Sequence, residues 1–473
     1  MAMLKQLRIK NFKGWADTGT IRMAPITLFF GTNSSGKSSI GQFLMMLKQT
    51  MESPDRKAVF YPGGKNSAVQ LGSFQDMVFH HKSKEKIEFN YRWTLGKSLK
   101  VSDPISKVLF EGEEISFFSS IGLHETTQNP TVFNFSYELY NKENSVFSLG
   151  MERKSGDKSE YKVKSTQYDL VRKPGRVWFP GAPVRFYGFP DEVVAYHQNA
   201  DFVRELSLIH EKLFRSLYYL GPLRMKAERL YSWSGIEPDG VGFSGENTVA
   251  AILAAQKRQL NLGYKRPLKV FEEVIALELK KMGLIEGFKV NPISEQRQEY
   301  EVKVRTWGSE DWVDLPDVGF GISQVMPVLV QCFYAPVDSI ILMEQPEIHL
   351  HPRAQSALAD VFIDVINSRE DGSDRNIQLI IETHSEHFLR RLQRRIAEDV
   401  ISQDSVAAYF ADIVHKPAKL EPLQIDGGGN IINWPKDFFG DEATDIIEQN
   451  KAALSKIMKE RQAQKKEQTW LPL

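Results

Sequence analysis

Two stretches of this chain carry residues whose types and spacing could do chemistry together. The segment GTNSSGKS, Gly31 to Ser38, matches G-x-x-x-x-G-K-[ST]. Gly31 and Gly36 let the backbone curl so that its amides face phosphate oxygens. Lys37 can reach the β- and γ-phosphates, and the Ser38 hydroxyl can ligate Mg²⁺. Asn33, Ser34, Ser35 and Ser39 complete the phosphate-facing set, and the following helix adds its positive N-terminal end. An apolar strand, PITLFF, enters the motif and the helical IGQFLMMLKQTM leaves it, the setting in which such a loop works rather than that of a plain Gly/Ser surface loop. The second stretch is SIILMEQPEIHLHP, Ser339 to Pro352. A carboxylate closing an apolar strand is costly unless it binds something. A loop that holds Mg-nucleotide needs an acid on a neighbouring strand. Glu344 is that acid, with a capping or salt-bridged glutamate as the competing reading.

Two more segments converge on the same chemistry. DVGFGISQV, Asp317 to Val325, is a glycine-bearing turn opening a helix with Ser323 near its N-terminus, a place where anions bind. IIETHSEHFL sets His384 just past a strand, where an imidazole can bond a phosphate or an attacking water. Each would more often be structural if met alone. His349 and His351 in HLHP invite a metal pair, but no third ligand accompanies them.

The elements that must position these residues follow from periodicity. LKQLRIKNF alternates as a strand. From about Lys86 to Tyr187, aromatic-rich alternating segments predict antiparallel strands. Asp191 to Leu220, Glu246 to Leu260 and Leu268 to Met282 have helical spacing, and Phe288 to Val304 returns to strand character. Beyond it strand and helix alternate: helix Ile322–Tyr334, strand Ile340–Glu344, helix Pro352–Ile366, strand Ile377–Glu382, helix Glu386–Ile396. That alternation predicts an α/β fold with a mainly parallel sheet flanked by helices. The expected division is 1–80 for an N-terminal lobe with the phosphate loop and 81–215 for a β-rich, then helical, insertion. Residues 216–425 form a C-terminal lobe, and 426–473 an extension with Ile447, Leu454 and Met458 at helical spacing. No internal repeat, low-complexity tract or long heptad arm occurs.

Composition bounds the function. The 473 residues suffice for more than one domain. With 42% hydrophobic and 25% charged residues and a mean hydropathy of −0.34, a globular protein is expected. The formal charge of +0 gives no global field for nucleic acid or anionic lipid. The single cysteine, Cys332, excludes a disulfide framework. No apolar run approaches the ~20 residues of a membrane span, and MAMLKQLRIKNFKGW lacks a signal-peptide core. A cytoplasmic location is expected.

Together these segments resemble the ABC-type ATPase heads of the SMC, RecF and OLD groups. GTNSSGKSS is similar to their Walker A, GFGISQV to a diverged signature, SIILMEQPE to Walker B and ETHSEHFL to the histidine switch. IKNFKGW and LGPLR (Leu220 to Arg224) share the likeness, and GNIINWPKDFF, Gly429 to Phe439, resembles small bacterial AAA-family ATPases. The resemblance covers about half the chain and leaves out the strand-rich middle. It implies ATP and Mg²⁺ as cofactors, with Ser38 and Glu344 on the metal side, and two copies sandwiching two nucleotides. Ser323, with Gly321 and Gln324, would meet the γ-phosphate held by the partner copy, although GISQ departs from the usual double glycine. Gln75 in LGSFQDMVF is a candidate for the loop glutamine that senses metal and water, against a plain surface residue.

Where such ATPases carry a second acid after Walker B, this chain has Gln345, and an amide cannot accept a proton. Three readings stand: slow hydrolysis with ATP as dimer glue, Glu347 as the base, or Glu344 serving twice. Slow hydrolysis assisted by Glu347 or His384 is the expectation. The functional expectation is a nucleotide-switched sensor or scaffold in bacterial anti-phage defence, working with a separate effector such as a nuclease or toxin. The alternative is a RecF-like repair ATPase binding DNA directly through Lys82, Lys84 and Lys86, or through Arg390, Arg391, Arg394 and Arg395. A coiled-coil tethering machine and a transporter subunit both lack their required segments.

Overall fold

A computed structural model describes residues 3–154, 160–175, 179–294, 297–412, 417–435, 438 and 447–458. The chain divides into two units, Met1–Ile432 and Asn433–Leu473.

In the first unit six strands form a sheet in the order Leu217–Leu220, Ile340–Glu344, Gln378–Glu382, Ile26–Gly31, Val406–Asp412, Lys419–Leu423. The first five run parallel and the last antiparallel. ILME and QLIIE are buried at every position, as strands covered by helices on both faces must be. The sheet's C-terminal edge therefore gathers Leu220, Glu344, Glu382 and Gly31, the edge at which open α/β sheets bind ligands. The helices Lys37–Glu52, Phe320–Tyr334, Pro352–Ile366 and Glu386–Ala397 flank it. This is the α/β, P-loop head architecture expected from the sequence, with its β-rich partner sheet.

That partner is an eight-stranded antiparallel sheet. It runs Trp15–Asp17, Leu4–Phe12, Ile87–Ser102, Leu109–Leu123, Pro130–Asn141, Asn144–Arg153, Tyr161–Thr166, with Ile21–Arg22 also on Leu4–Phe12. The pairing of Leu4 with Trp93 through Lys10 with Glu88 joins the first residues of the chain to the strand-rich segment. Phe43 of the phosphate-loop helix packs edge-on between Phe12 at 5.1 Å and Phe89 at 5.0 Å. The antiparallel sheet thus supports the helix that aims Lys37.

Three boundaries differ from the sequence expectation. Leu217–Leu220 is a strand rather than the end of a helix, because it finds a parallel partner in Ile340–Met343. The helix expected over Glu246–Leu260 is confined to Thr248–Ala254, with Gln259–Asn261 a strand. The helix expected from Leu268 starts at Phe271, after the two-residue strand Lys269–Val270. In the second unit, residues 447–458 form an exposed helix, and Trp434 meets Phe438 edge-on at 5.1 Å.

Candidate nucleotide site

The phosphate loop is held by close backbone packing. Gly31 sits at φ 140°, and a Cβ there would stand 2.2 Å from the Ala411 carbonyl oxygen. Gly36 (φ 89°) opens the helix in left-handed geometry, which glycine adopts without penalty. Trp15, fully buried, donates its indole N–H to the Gly36 carbonyl at 3.1 Å and to Ser39 Oγ at 2.9 Å. Asn33 and Ser34 are exposed, Ser35 is buried and Ser38 half-buried. Lys37 is buried, and its ammonium donates to the carbonyls of Gly31 (3.0 Å) and Thr32 (2.7 Å). Burial lowers its pKa and the charge of Glu382 raises it. Neutral carbonyls are weak partners for a buried ammonium, and a stronger anion would compete with them.

Opposite the loop stand three carboxylates. Glu344 and Glu382 are register partners on adjacent parallel strands, and Glu382 also pairs with Phe29 of the strand that enters the loop. Glu382 is therefore the acid beside the phosphate loop. Its pKa is raised by burial; the Ser38 hydroxyl, which hydrogen-bonds the carboxylate, and the Lys37 charge oppose the shift. Glu344 Oε1 accepts from the Tyr219 hydroxyl at 2.8 Å. Burial and the charge of Glu382 push Glu344 up to about 7, and the Tyr219 bond pulls the other way. Gln345, half-buried at φ 45°, keeps the ladder by donating its N–H to the Glu382 carbonyl at 2.8 Å. That left-handed residue turns the chain at some backbone cost, and Pro346 follows. The turn returns Glu347 to the site, where Oε1 accepts the His384 N–H at 2.8 Å. Burial raises the Glu347 pKa against the His384 and Thr383 hydrogen bonds. The second oxygens of both Glu347 and Glu382 are buried without a partner. The His384 ring stands exposed at the mouth, and its pKa is lowered by partial desolvation against the cleft and by Lys37.

Arg224 of LGPLR ties the signature helix to this edge. Its guanidinium is buried and donates to the carbonyls of Glu344 (3.0 Å), Gln345 (3.3 Å) and Gln324 (3.4 Å). Burial lowers its pKa to about 10, and Glu347 raises it. A Cβ on Gly321 would lie 2.9 Å from the His349 carbonyl, and Phe320 meets the His349 ring at 4.9 Å. Ser323 is buried and donates to the Phe320 carbonyl at 2.8 Å; Pro327, four residues on, offers its carbonyl no N–H. Gln324 is buried with an unpartnered Nε2.

The structure thus brings together Lys37, Ser38, Glu344, Gln345, Glu347 and His384 along one sheet edge, with Gly321, Ser323 and Gln324 on the adjoining helix. Gln75 is exposed on the short helix Phe74–Met77 and shows no bond into this cluster among the described residues. His351 accepts the Arg353 N–H at its helix start, and among the described residues no group of three or more His, Cys, Asp or Glu side chains is arranged to hold a metal. The arginines singled out for DNA are engaged by acids: Arg391 and Arg395 with Asp360, Arg394 with Glu398, Arg390 with Glu386. Sequence reasoning missed Glu382, Tyr219 and Trp15. The signal for Glu382 was present, since it closes an apolar strand just as Glu344 does.

Comparison with known proteins follows the same lines. Residues 26–390 match the family model described as "AAA domain, putative AbiEii toxin, Type IV TA system", and residues 401–449 match "Protein of unknown function (DUF3696)". No curated protein matches. The SMC head domain from Thermotoga maritima is similar at 12% identity and a TM-score of 0.41, covering 89% of this chain and 99% of that one. The Smc head with an extended coiled coil, bound to the C-terminal domain of ScpA derived from Pyrococcus furiosus, gives 11% and 0.42, covering 95% and 100%. Among the described residues no helix is long and apolar enough to cross a membrane. With more than half of its length matched, the chain belongs to the AAA-domain family described as putative AbiEii toxin.

Proposed function

We propose that this chain binds Mg-ATP and hydrolyses it slowly, acting as a nucleotide-switched sensor or scaffold in bacterial anti-phage defence with a separate nuclease or toxin as effector. One observation carries the nucleotide reading: Lys37 and Ser38 face Glu382, the register partner of Glu344 on the adjacent strand, and one buried oxygen each of Glu382 and Glu347 is left unpartnered. The orphaned oxygen of Glu382 suits a hard cation, so Ser38 and Glu382, with Glu344 beside them in register, would hold Mg²⁺ directly or through water. Bound Mg-ATP would bring the anhydride and neutralise its charge. Lys37 would leave its carbonyls for the phosphates, and the freed carbonyls would face solvent. Glu347, turned in by Gln345 and fixed by the His384 amide, is the acceptor assigned to the proton of water, with the His384 ring beside it. The amide at Gln345 removes the usual base, and base catalysis is typically worth ~10²–10⁴-fold.

The self-association reading puts Ser323, Gly321 and Gln324 on the nucleotide of a second copy. Ser323 must then exchange its bond to Phe320, which links closure to movement at that helix start. The matching family is described as a putative toxin of a type IV TA system, which supports a chain that works with a second protein. The arginines named for direct DNA binding are each paired with an acid, so that reading stands on Lys82 and Lys84, which are exposed, and half-buried Lys86.

The test combines binding and turnover. Lys37→Ala is expected to weaken ATP binding by roughly 100-fold, the equivalent of one or two charge-assisted hydrogen bonds, and to abolish plaque protection in a phage challenge. Wild-type turnover is expected far below ~10 s⁻¹, falling further in Glu347→Gln and Glu382→Gln and rising in Gln345→Glu. Wild-type turnover near that value, indifferent to Glu347→Gln and Glu382→Gln, would end the slow-hydrolysis reading. Unchanged ATP binding by Lys37→Ala would end the nucleotide reading itself.

A further inference from the structure

One sizeable cleft in the described structure lies away from the phosphate loop. It opens between the far half of the phosphate-loop helix and the sheet's edge strand, with a volume of about 600 Å³, within the range of sites for small organic ligands. Its walls carry Tyr61, Tyr218, Tyr219 and Phe243, of which Tyr61 and Phe243 are exposed. The charged lining is one cation against two acids. Lys48 pairs with Glu52 at 2.8 Å, while Asp239, exposed, has no ion-pair partner among the described residues.

Two groups of complementary hydrogen-bonding character, Gln331 and Asp239, line this cleft. Gln331 is 1% exposed. Its Oε1 accepts the Val241 N–H at 3.0 Å, and its Nε2 has no partner. Gly240, next to Asp239, approaches it so closely that a Cβ there would stand 3.1 Å from Gln331 Oε1 and 3.1 Å from the Tyr218 ring. A buried amide donor without a partner is costly. Asp239, next in sequence to the glycine that approaches Gln331, adds an acceptor carboxylate to the same lining.

We propose that this cleft binds a nucleobase, guanine by its edge. The N1 and N2 donors of guanine fit a carboxylate bidentately, and its O6 is the acceptor that Gln331 Nε2 lacks. The flat ring stacks on the tyrosine and phenylalanine walls. The excess of acid in the lining favours an uncharged base over a phosphate group. Tyr219 lines the same cleft and donates its hydroxyl to Glu344 at 2.8 Å, so an occupant that moves Tyr219 alters the acid proposed for Mg²⁺. This coupling rests on the nucleotide reading above; the binding itself does not.

Guanosine is the probe, titrated calorimetrically into the full chain without ATP, beside inosine and adenosine. Saturable guanosine binding is expected, weaker by about tenfold or more for inosine and adenosine, which lack one or both donors. Asp239→Asn, at an exposed position that leaves folding intact, should weaken guanosine to a similar degree. Lys37→Ala should leave it unchanged. No saturable heat overturns the site, as does indifference to Asp239→Asn, or loss in Lys37→Ala, which would place guanosine in the phosphate loop. For the coupling, guanosine should shift wild-type ATP affinity by about fivefold or more and fail to do so in Tyr219→Phe. An equal shift in both proteins, or none in the wild type, overturns the coupling. A wild type that binds guanosine but no ATP overturns the nucleotide reading alone.

Discussion

Two buried polar clusters in this chain are built to opposite rules. Beneath the antiparallel sheet, His210 is fully buried on the helix Phe202–Arg215. Tyr137 donates its hydroxyl to the Tyr187 carbonyl at 3.1 Å, so at 2.6 Å it accepts from His210 Nδ1–H. Nε2 is then free to accept from Tyr91, which closes the set. Every donor there has an acceptor, and burial drives the imidazole pKa down and the tyrosine pKa values up, fixing all three as neutral. At the parallel sheet's edge the same kind of burial surrounds three acids, and two of them, Glu347 and Glu382, each keep a buried oxygen without a partner. A satisfied cluster holds a fold; an unsatisfied one is organised for something that arrives later.

The sharpest way to break that contrast is to unbalance the satisfied cluster. His210→Ala leaves two buried hydroxyls without partners and a void amid Phe117, Tyr187 and Phe214. It should cost about 3–5 kcal/mol in urea unfolding, with ATP affinity at low temperature unchanged. A small loss would mean that the tyrosines find other partners, and the cluster would lose its structural role.

The two clusters also differ in how visible they were beforehand. The phosphate loop is local: GTNSSGKS fixes its own geometry, and the strand and helix on either side read directly from periodicity. Glu344 was legible because a charge after ILM needs a reason. Glu382 was not singled out although it also ends an apolar strand, because its meeting with Ser38 depends on which strand lies between Ile340–Glu344 and Ile26–Gly31. Strand order is a tertiary fact. LYYL extended an amphipathic helical pattern and became a strand only through its partner. The union of Leu4–Phe12 with Ile87–Ser102 spans more than eighty residues, and alternation within either strand cannot announce it. Tyr219 and Arg224 become site residues only once that edge strand is in place.

The unsatisfied cluster predicts a pH dependence of definite sign. Glu344 has a folded pKa of about 7 against 4.5 for an ordinary exposed glutamate. Below 4.5 both folded and unfolded forms hold the proton, and the stability that the group contributes is fully present. As pH rises through 7 the folded form must ionise a buried acid, and that contribution is lost, by up to about 3 kcal/mol. Raised values at Glu347 and Glu382 act in the same direction. Ligand-free protein should therefore lose stability to urea between pH 5 and 8, and Glu344→Gln should flatten the slope. Mg-ATP, which needs the carboxylate ionised, should bind more tightly across the same interval and release protons near pH 6.5, read as buffer-dependent heats. A ligand-free stability that rises with pH would show that the acids are already satisfied.

The smallest effect tests a single bond between the two rules. The Tyr219 hydroxyl is the one direct side-chain donor to Glu344 among the described residues, and it favours the ionised form. Tyr219→Phe keeps the ring and removes that donor, so the Glu344 pKa should climb further. The midpoint for Mg-ATP affinity should move to higher pH by up to about one unit, since a hydrogen bond to a charged group is worth about 1.5 kcal/mol or more before solvent relaxation. Stability of the ligand-free form should change little at pH 5, where the acid is neutral, and fall at pH 8. A midpoint that stays fixed would mean that Glu344 does not control the titration, and Glu382, the acid nearest the phosphate loop, would take that role.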